Sequence, residues 1–311
     1  MPWHELSIAS EALRGNPLGD PHERPVFVWS PDEDARRYPT VYVLHAHMRS
    51  ARWWFNVEPF ERSYPEEIDA LAPAAVVALV DGWTSVGGSQ WIDSGGIGRY
   101  GTYLRDEVVP FVEERFPASG RRALQGKSSG GYGALVNAIE HPDTFNAVAA
   151  HAPDALFEVT IAHGFPAAAR ALRERPLDAW WNGFEGLRTR EDALLVELWS
   201  SALAYAGGEL PFEVETAELR PDVWARWLEH DPVRLVERHA EAARELRGVW
   251  LDAGEADSYF LDLGALALRR ALAEAGVAGE ALRFELFPGG HRGLGWRYPL
   301  SLAWLVERLA D

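Results

Sequence analysis

Ser128 is a serine whose sequence setting suits covalent chemistry. It is the central residue of the pattern Gly-x-Ser-x-Gly over residues 126–130. A strand-like apolar run, residues 122–125, precedes the pattern, and a helical run over residues 131–140 follows it. A tight strand–turn–helix of this kind exposes a serine hydroxyl that can attack a carbonyl carbon. The dipole of the following helix favours negative charge at the same place.

A nucleophilic serine needs a general base, and the base needs a carboxylate that orients it. His291 follows the last strand-like run and two glycines, and Asp257 follows the strand-like run before that one. Asp252, at the end of the same strand-like run, is the alternative acid, and Asp257 could instead cap the next helix. The order serine, acid, histidine predicts Ser128 as nucleophile, Asp257 as acid and His291 as base.

The negative oxygen that forms during such an attack needs backbone N–H donors. One donor is expected from Ser129, and the second from the loop after the strand-like run 40–45. His47 or Met48 would supply it, and we favour His47. Loss of one such donor costs on the order of 3 kcal/mol in the barrier. His45 and His47 lack a matching carboxylate pattern, so they do not predict a metal site.

Four residues are candidates for binding the substrate. Trp54 and Trp91 lie in or near loops at the expected catalytic face, where indole rings can wall a pocket, although a tryptophan is more often a core residue. Asp154 follows the strand-like run 147–151. Lys127 is the only lysine of the chain and adjoins the predicted nucleophile, where it could also anchor the turn through a salt bridge.

The strand-like runs and helical patterns alternate along most of the chain. The strand-like runs cover residues 25–29, 40–45, 75–80, 122–125, 147–151, 248–252 and 282–287, and the helical patterns cover residues 100–116, 131–140, 259–275 and 298–309. Several of the runs are almost continuously apolar, which suits strands that are buried on both faces of a mostly parallel sheet. The alternation predicts an α/β protein with three layers.

The alternation stops over residues 157–247, where helical patterns such as 191–206 and 232–246 are separated by prolines. We therefore predict a core made of residues 1–156 and 248–311, and a helical insertion over 157–247. The insertion is interpreted as a cap over the active site, and the alternative is helical packing remote from it.

The composition restricts the partners. The chain of 311 residues has a formal net charge of -17, which repels phosphate backbones and anionic lipids, so neither nucleic acid nor a membrane is expected as a partner. There is no cysteine, which excludes disulfides and thiolate metal sites. The N-terminus does not have a signal-peptide pattern, and the chain is predicted to be cytoplasmic. No motif predicts a cofactor.

Several motifs together resemble the Putative esterase family of α/β hydrolases, which includes esterase D and enterochelin esterases and is related to feruloyl esterases and mycolyltransferases. The matching segments are residues 41–45, 80–82, 87–90, 107–110, 126–133, 141–145, 254–257 and 289–291. The resemblance implies the α/β-hydrolase fold and the triad Ser128, Asp257 and His291. The chain departs from the family at Ala46, where a glycine is frequent, and in its longer insertion.

Three functions are compatible with these residues. The first is hydrolysis of a small-molecule carboxylic ester through an acyl-enzyme. The second is transfer of the acyl group to an alcohol by the same three residues in a pocket that excludes water. The third is a binding module without catalysis on a hydrolase scaffold. The complete order of the three residues favours hydrolysis.

Overall fold

A large mixed sheet forms the centre of the molecule. The computed structural model describes residues 3–31 and 36–310. Its strands are β1 (Trp3–Ala9), β2 (Glu23–Trp29), β3 (Tyr38–Leu44), β4 (Val76–Val80), β5 (Asp93–Ser94), β6 (Gly98–Arg99), β7 (Ala118–Lys127), β8 (Ala147–His151), β9 (Gly248–Gly254) and β10 (Leu282–Phe287). Eight of these strands form the large sheet, and β5 and β6 pair as a small separate hairpin.

The large sheet is mostly parallel, as the sequence predicts. Its order is β1-β2-β4-β3-β7-β8-β9-β10. The β1–β2 and β2–β4 pairs are antiparallel, and every neighbouring pair from β4 to β10 is parallel. All residues of β3, β4, β8 and β9 are buried, since helices cover both faces of the sheet. The parallel strands all end at one edge.

Helices complete the outer layers. They are α1 (Tyr64–Leu71), α2 (Tyr100–Thr102), α3 (Val109–Glu113), α4 (Ser129–Glu140), α5 (Phe157–Thr160), α6 (Phe165–Leu172), α7 (Leu177–Asn182), α8 (Arg190–Ala206), α9 (Pro221–Glu229), α10 (Pro232–Arg238), α11 (Ala240–Glu245), α12 (Leu261–Glu274) and α13 (Arg297–Leu309). Among the described residues, no helix has both the length and the apolar surface that crossing a membrane requires.

Two buried clusters lie on opposite faces of the sheet. Successive side chains of a strand point to opposite faces, so Val41 and Val43 of β3 belong to one cluster and Tyr42 and Leu44 to the other. Helices α1 and α13 pack on the face of Val41, and α4 and α12 pack on the face of Tyr42. This arrangement confirms the predicted α/β-hydrolase sandwich of three layers.

The segment between β8 and β9 is helical, with α5 to α11 in residues 157–247. Its buried side chains, including Phe165, Leu195 and Trp227, belong to the same cluster as the sheet residue Tyr42. The insertion therefore packs as a continuation of the core and does not have a core of its own. Its function as a cap stays a prediction.

The structure differs from the sequence-based expectations at several elements, including the unpredicted α1, β5 and β6. β1 was not predicted because polar residues interrupt its apolar pattern, and it pairs along its length with β2 at the edge of the sheet. The predicted helix 100–116 contains a π-helical stretch, Tyr103–Val108, between α2 and α3. The predicted helix 232–246 is divided at His239 into α10 and α11.

Candidate active site

The candidate residues lie in loops at the edge where the parallel strands end. Lys127 at the end of β7 is paired with His151 of β8, His151 with Asp252 of β9, and Asp252 with Glu285 of β10. The four strands therefore end at nearly the same level. The loops that follow three of them carry Ser128, Asp257 and His291, and such an edge is the usual position of a site in an open α/β sheet.

Ser128 lies in a strained turn between β7 and α4. Its φ of 54° and ψ of -127° are unfavourable for a residue with a side chain, and backbone strain of this kind is concentrated at functional sites. The Ser128 N–H donates to His151 O at 2.9 Å. The turn requires glycine on either side, because a Cβ at Gly126 would lie 2.2 Å from Gly130 O. The strain and the glycines hold the hydroxyl at the tip of the turn.

His291 and Asp257 form a hydrogen-bonded pair. His291 Nδ1 lies 2.9 Å from Asp257 Oδ2, and the Tyr259 N–H donates to the other carboxylate oxygen at 2.8 Å. The Asp257 side chain is completely buried, whereas 13% of the His291 side chain is exposed. With Nδ1–H donating to Asp257, Nε2 of a neutral His291 is free of its proton and can accept one.

The loops that carry these two residues are joined through their backbones. The Glu255 N–H donates to Phe287 O and the Ala256 N–H donates to Gly289 O, each at 2.9 Å. A Cβ at Gly254 would lie 2.6 Å from Gly289 O, so the two loops are in direct contact. These contacts position Asp257 and His291 relative to each other.

The loops that carry Ser128 and His291 lie within electrostatic range of each other. Lys127 interacts electrostatically with Asp257 and with Arg292, which directly follows His291. Within residues 3–31 and 36–310, His291 is hydrogen-bonded to Asp257. No hydrogen bond joins Ser128 and His291 in this part of the chain. The bond between a catalytic serine and its histidine is frequently long or poorly aligned until a substrate binds.

The loop after β3 lies directly against the turn at Ser128. A Cβ at Gly130 would be 2.3 Å from Leu44 O and 2.8 Å from His45 O, so the backbones are in close contact. The Met48 N–H already donates to Gly87 O at 2.6 Å, which corrects the prediction of Met48 as a possible oxyanion donor. His47 remains the candidate for the second donor, beside Ser129 at the first position of α4.

The histidines of this loop bind protein groups. His45 Nε2 accepts a hydrogen bond from the Gly82 N–H at 2.9 Å, and His45 Nδ1 lies 3.0 Å from Ala46 O. His47 Nε2 lies 2.8 Å from Ser200 Oγ of α8. His45 thus has a structural role, and the side chain of His47 faces the insertion.

Two of the predicted substrate-binding residues are core residues. Trp54 packs between Tyr64 and Tyr298, with ring centroids 5.3 Å and 5.0 Å away, and only 7% of it is exposed. Trp91 is 1% exposed and its indole N–H donates to His45 O at 3.1 Å. The assignment of both tryptophans to the substrate pocket was wrong, because their loops turn the rings into the interior.

The two titratable candidates, Lys127 and Asp154, lie half-buried at the same edge. Burial lowers the pKa of Lys127 to about 8. Burial, together with the charges of Glu197 and Asp257, raises the pKa of Asp154 to about 8. In the described part of the chain Lys127 forms no salt bridge, so the alternative role as an anchor of the turn is not supported.

Glu197 of α8 is a candidate that the sequence analysis did not identify. Burial raises its pKa to about 7, and its charge acts on Asp154 across the interface between the insertion and the core. It lies between the buried residues Val196 and Leu198. The only feature of the sequence that could have indicated a functional role for Glu197 is its position in an apolar stretch of a helix.

Asp252, the alternative acid, belongs to a second and fully buried set. It accepts hydrogen bonds from His151 Nδ1 at 2.8 Å, the Trp250 indole at 2.6 Å and Arg297 Nε at 2.8 Å. His151 Nε2 lies 2.8 Å from Ser301 Oγ. Asp252 therefore orients His151 and not His291, which leaves Asp257 as the acid beside the candidate base.

Comparisons with known proteins identify a matching family model and chains of similar fold. The family model described as Putative esterase matches residues 21–303. A ferulic acid esterase structure has a TM-score of 0.64 and 18% identity, with 98% of each chain covered. A fluorophosphonate-binding serine hydrolase of Staphylococcus aureus has a TM-score of 0.62 and 17% identity, again with 98% of each chain covered. An S-formylglutathione hydrolase of Agrobacterium tumefaciens has a TM-score of 0.58 and 18% identity, over 99% of this chain and 95% of that chain.

Proposed function

Because the chain belongs to the Putative esterase family, we propose that it hydrolyses carboxylic esters through an acyl-enzyme formed on Ser128. The observation that carries the assignment of residues is the pair of His291 and the buried Asp257 at the sheet edge that also presents Ser128 in a strained turn. The reactive bond belongs to a small-molecule ester, and the acidic chain favours neither nucleic acid nor a membrane as partner.

The reaction begins with attack of the Ser128 hydroxyl on the ester carbonyl. His291 Nε2 takes the serine proton, and Asp257 holds the imidazole in the required tautomer and stabilises the imidazolium. The backbone N–H groups of Ser129 and His47 bind the oxyanion. His291 then gives its proton to the leaving alcohol. In the second half, water attacks the acyl group with His291 again as base, and Ser128 regains its proton.

The groups around Ser128 suggest how a substrate is held. Lys127 and Asp154 are proposed to contact the substrate, since neither side chain forms a salt bridge in the described residues. The insertion is proposed as the cap of this pocket, because Glu197 acts electrostatically on Asp154 and Ser200 binds His47. A cytoplasmic location stays a prediction from the sequence.

Labelling with a fluorophosphonate probe tests the nucleophile directly. The wild-type protein is expected to become labelled, and digestion should place the label on the peptide that contains Ser128. A variant with Ser128→Ala should not be labelled, while Ser129→Ala keeps the backbone donor and should be labelled. A label on another serine, or no label on a folded wild-type protein, would contradict the proposal.

A panel of esters then distinguishes substrates and reactions. Acetyl, butyryl, feruloyl and succinyl esters and acetylated sugars vary the size and the charge of the acyl group and the alcohol. Free acid is the expected product, since membership in an esterase family favours hydrolysis. Addition of alcohols or sugars as acceptors, followed by product analysis, tests acyl transfer. A new ester as the main product would show that transfer is the principal activity.

A further inference from the structure

The insertion contacts the loop that carries the proposed second oxyanion donor. Ser200 of α8, completely buried, lies with its Oγ 2.8 Å from His47 Nε2. The same helix accepts a hydrogen bond at Leu203 O from Ser94 Oγ at 3.0 Å. These two hydrogen bonds join helix α8 to the catalytic core, and one of them involves the side chain of His47.

The direction of the His47–Ser200 hydrogen bond follows from the rest of its surroundings. Ser200 Oγ donates to Glu197 O at 3.1 Å within α8. A serine hydroxyl has one proton, so both contacts are hydrogen bonds only if His47 Nε2–H donates to Ser200 Oγ. Burial lowers the pKa of His47 to about 4, so that the imidazole is neutral and has a single N–H to donate at neutral pH. Ser200 therefore selects the tautomer and the orientation of this ring.

Two glycines close the other side of the His47 ring. A Cβ at Gly88 would lie 2.5 Å from His47 Cδ2, and one at Gly87 would lie 2.8 Å from His47 Cε1. Gly87 O also accepts the hydrogen bond from the Met48 N–H at 2.6 Å. The ring is held between a glycine pair of the core and a serine of the insertion, and the peptide bond that follows His47 is fixed as well.

We propose that Ser200 is a positioning residue that acts through His47 to hold the second oxyanion donor in place. The inference rests on the proposed function. A backbone donor stabilises the oxyanion only when it lies at hydrogen-bonding distance from the place where the charge develops, so a small displacement is costly in rate. The inserted helix α8 thus contributes to the chemical step as well as to the enclosure of the pocket.

The variant Ser200→Ala tests this role, with Ser201→Ala as the matched control. Ser201 is also buried in α8 and is the next residue, so the two variants lose the same hydroxyl from the same helix. Loss of the His47 contact should lower kcat by about tenfold with KM changed by less than about twofold, because the donor acts mainly on the transition state. Ser201→Ala should retain the wild-type kcat.

A trifluoromethyl ketone provides a readout that general loosening of the protein would not change. It adds to a catalytic serine to form a tetrahedral oxyanion, so its affinity should fall in Ser200→Ala by the same factor as kcat/KM. The variant Gly88→Ala reaches the same ring from the other side, since its Cβ must displace His47. Gly88→Ala should also lose kcat/KM and inhibitor affinity by equal factors. It replaces Ser200→Ala as the test if that variant does not fold.

The outcomes separate this inference from the function on which it rests. If wild-type protein hydrolyses esters and Ser200→Ala and Ser201→Ala have equal kcat and equal inhibitor affinity, Ser200 has no positioning role although the esterase proposal stands. A lower thermal stability with an unchanged kcat would also overturn the inference. A folded wild-type protein that neither hydrolyses esters nor reacts with fluorophosphonate would overturn both.

Discussion

The molecule contains two sets of serine, histidine and aspartate that are alike in residue type and differ in their surroundings. In one set, His151 lies 2.8 Å from both Asp252 and Ser301, and all three residues are completely inaccessible. In the other set, His291 is hydrogen-bonded to Asp257 and is partly exposed, and Ser128 occupies a strained turn.

The hydrogen bonding is more complete in the buried set, yet no carbonyl carbon could reach it. Ser301 lies within α13 in regular helical backbone, and its Oγ also accepts a hydrogen bond from Gln125 Nε2 at 2.7 Å. Ser128 is instead followed by the first turn of α4, whose N–H groups are not used within the helix. On the proposed assignment of Ser128 as nucleophile, reactivity requires access and oxyanion donors as well as the three side chains.

Substitution of the two serines, Ser128 and Ser301, should give the largest difference in kcat between the two sets. Ser128→Ala should lower kcat by about 10⁴-fold or more and leave the free energy of unfolding within about 0.5 kcal/mol of wild type. Ser301→Ala should lower the free energy of unfolding by about 2 kcal/mol, because Gln125 and His151 lose a buried partner, with kcat within about threefold of wild type. Ester hydrolysis and urea unfolding measure both effects. Exchange of the two phenotypes would refute the assignment of Ser128.

Substitution of Asp257 should mainly lower kcat, and substitution of Asp252 should mainly lower stability. The loss of kcat should be smaller than for Ser128→Ala. Asp257→Asn keeps an oxygen for the Tyr259 N–H but presents an amide donor to His291, so the wrong tautomer is favoured and kcat should fall by about 10³-fold or more. Asp252→Asn removes the charge that pairs with the buried Arg297, at a cost of about 3 kcal/mol in stability. The test is kinetics and urea unfolding of both variants. Equal kinetic losses would mean that the buried set also supports the reaction.

The last effect is expected from pH, at Asp154, which forms no salt bridge within residues 3–31 and 36–310. Folded Asp154 has a pKa of about 8, above its ordinary value of 3.8, because of burial and the charges of Glu197 and Asp257. Between these two values the folded protein keeps a proton that the unfolded chain has released, so this contribution to stability falls as the pH rises.

The variant Asp154→Asn removes this contribution. Its Tm relative to wild type should therefore rise by about 2 °C or more between pH 5 and pH 8. Thermal unfolding at a series of pH values measures the difference, and the exposed Asp143→Asn serves as control and should follow the wild-type curve. If the curves of wild type and Asp154→Asn are parallel, Asp154 is ionised throughout this range and the pocket is more polar than its burial indicates.

The parts of the site that follow from local sequence could be predicted. The turn at Ser128 needs glycines on both sides because of steric contacts within a few residues, and the strands β4 and β8 are almost continuous apolar runs. The positions of Asp257 and His291 follow from their order after successive strands, since parallel strands end at the same edge. β1 was missed because its pairing with β2 determines its structure more than its own residues do.

The residues whose roles depend on distant contacts could not be predicted. A tryptophan can line a pocket or pack in the core, and the sequence does not distinguish the two. Trp54 is a core residue because it packs against Tyr64 and Tyr298. Trp91 is one because its indole N–H donates to buried His45 O. In the sequence, Glu197 and Ser200 are ordinary helix residues. They acquire partners in the core only when α8 packs on it. No local pattern records this placement, because the partners are more than 40 residues away in the chain.

By itself the sequence determined the turn at Ser128, which depends on steric contacts within a few residues, and the order of most strands and helices. It also predicted Ser128, Asp257 and His291 from their order along the chain. The tertiary structure decided which of two aspartates orients which histidine, and which donor of the loop after β3 remains for the oxyanion. Both decisions depend on whether a polar group already has a partner. The partners come from separate strands and helices, and they meet only after the sheet has formed and its layers have packed.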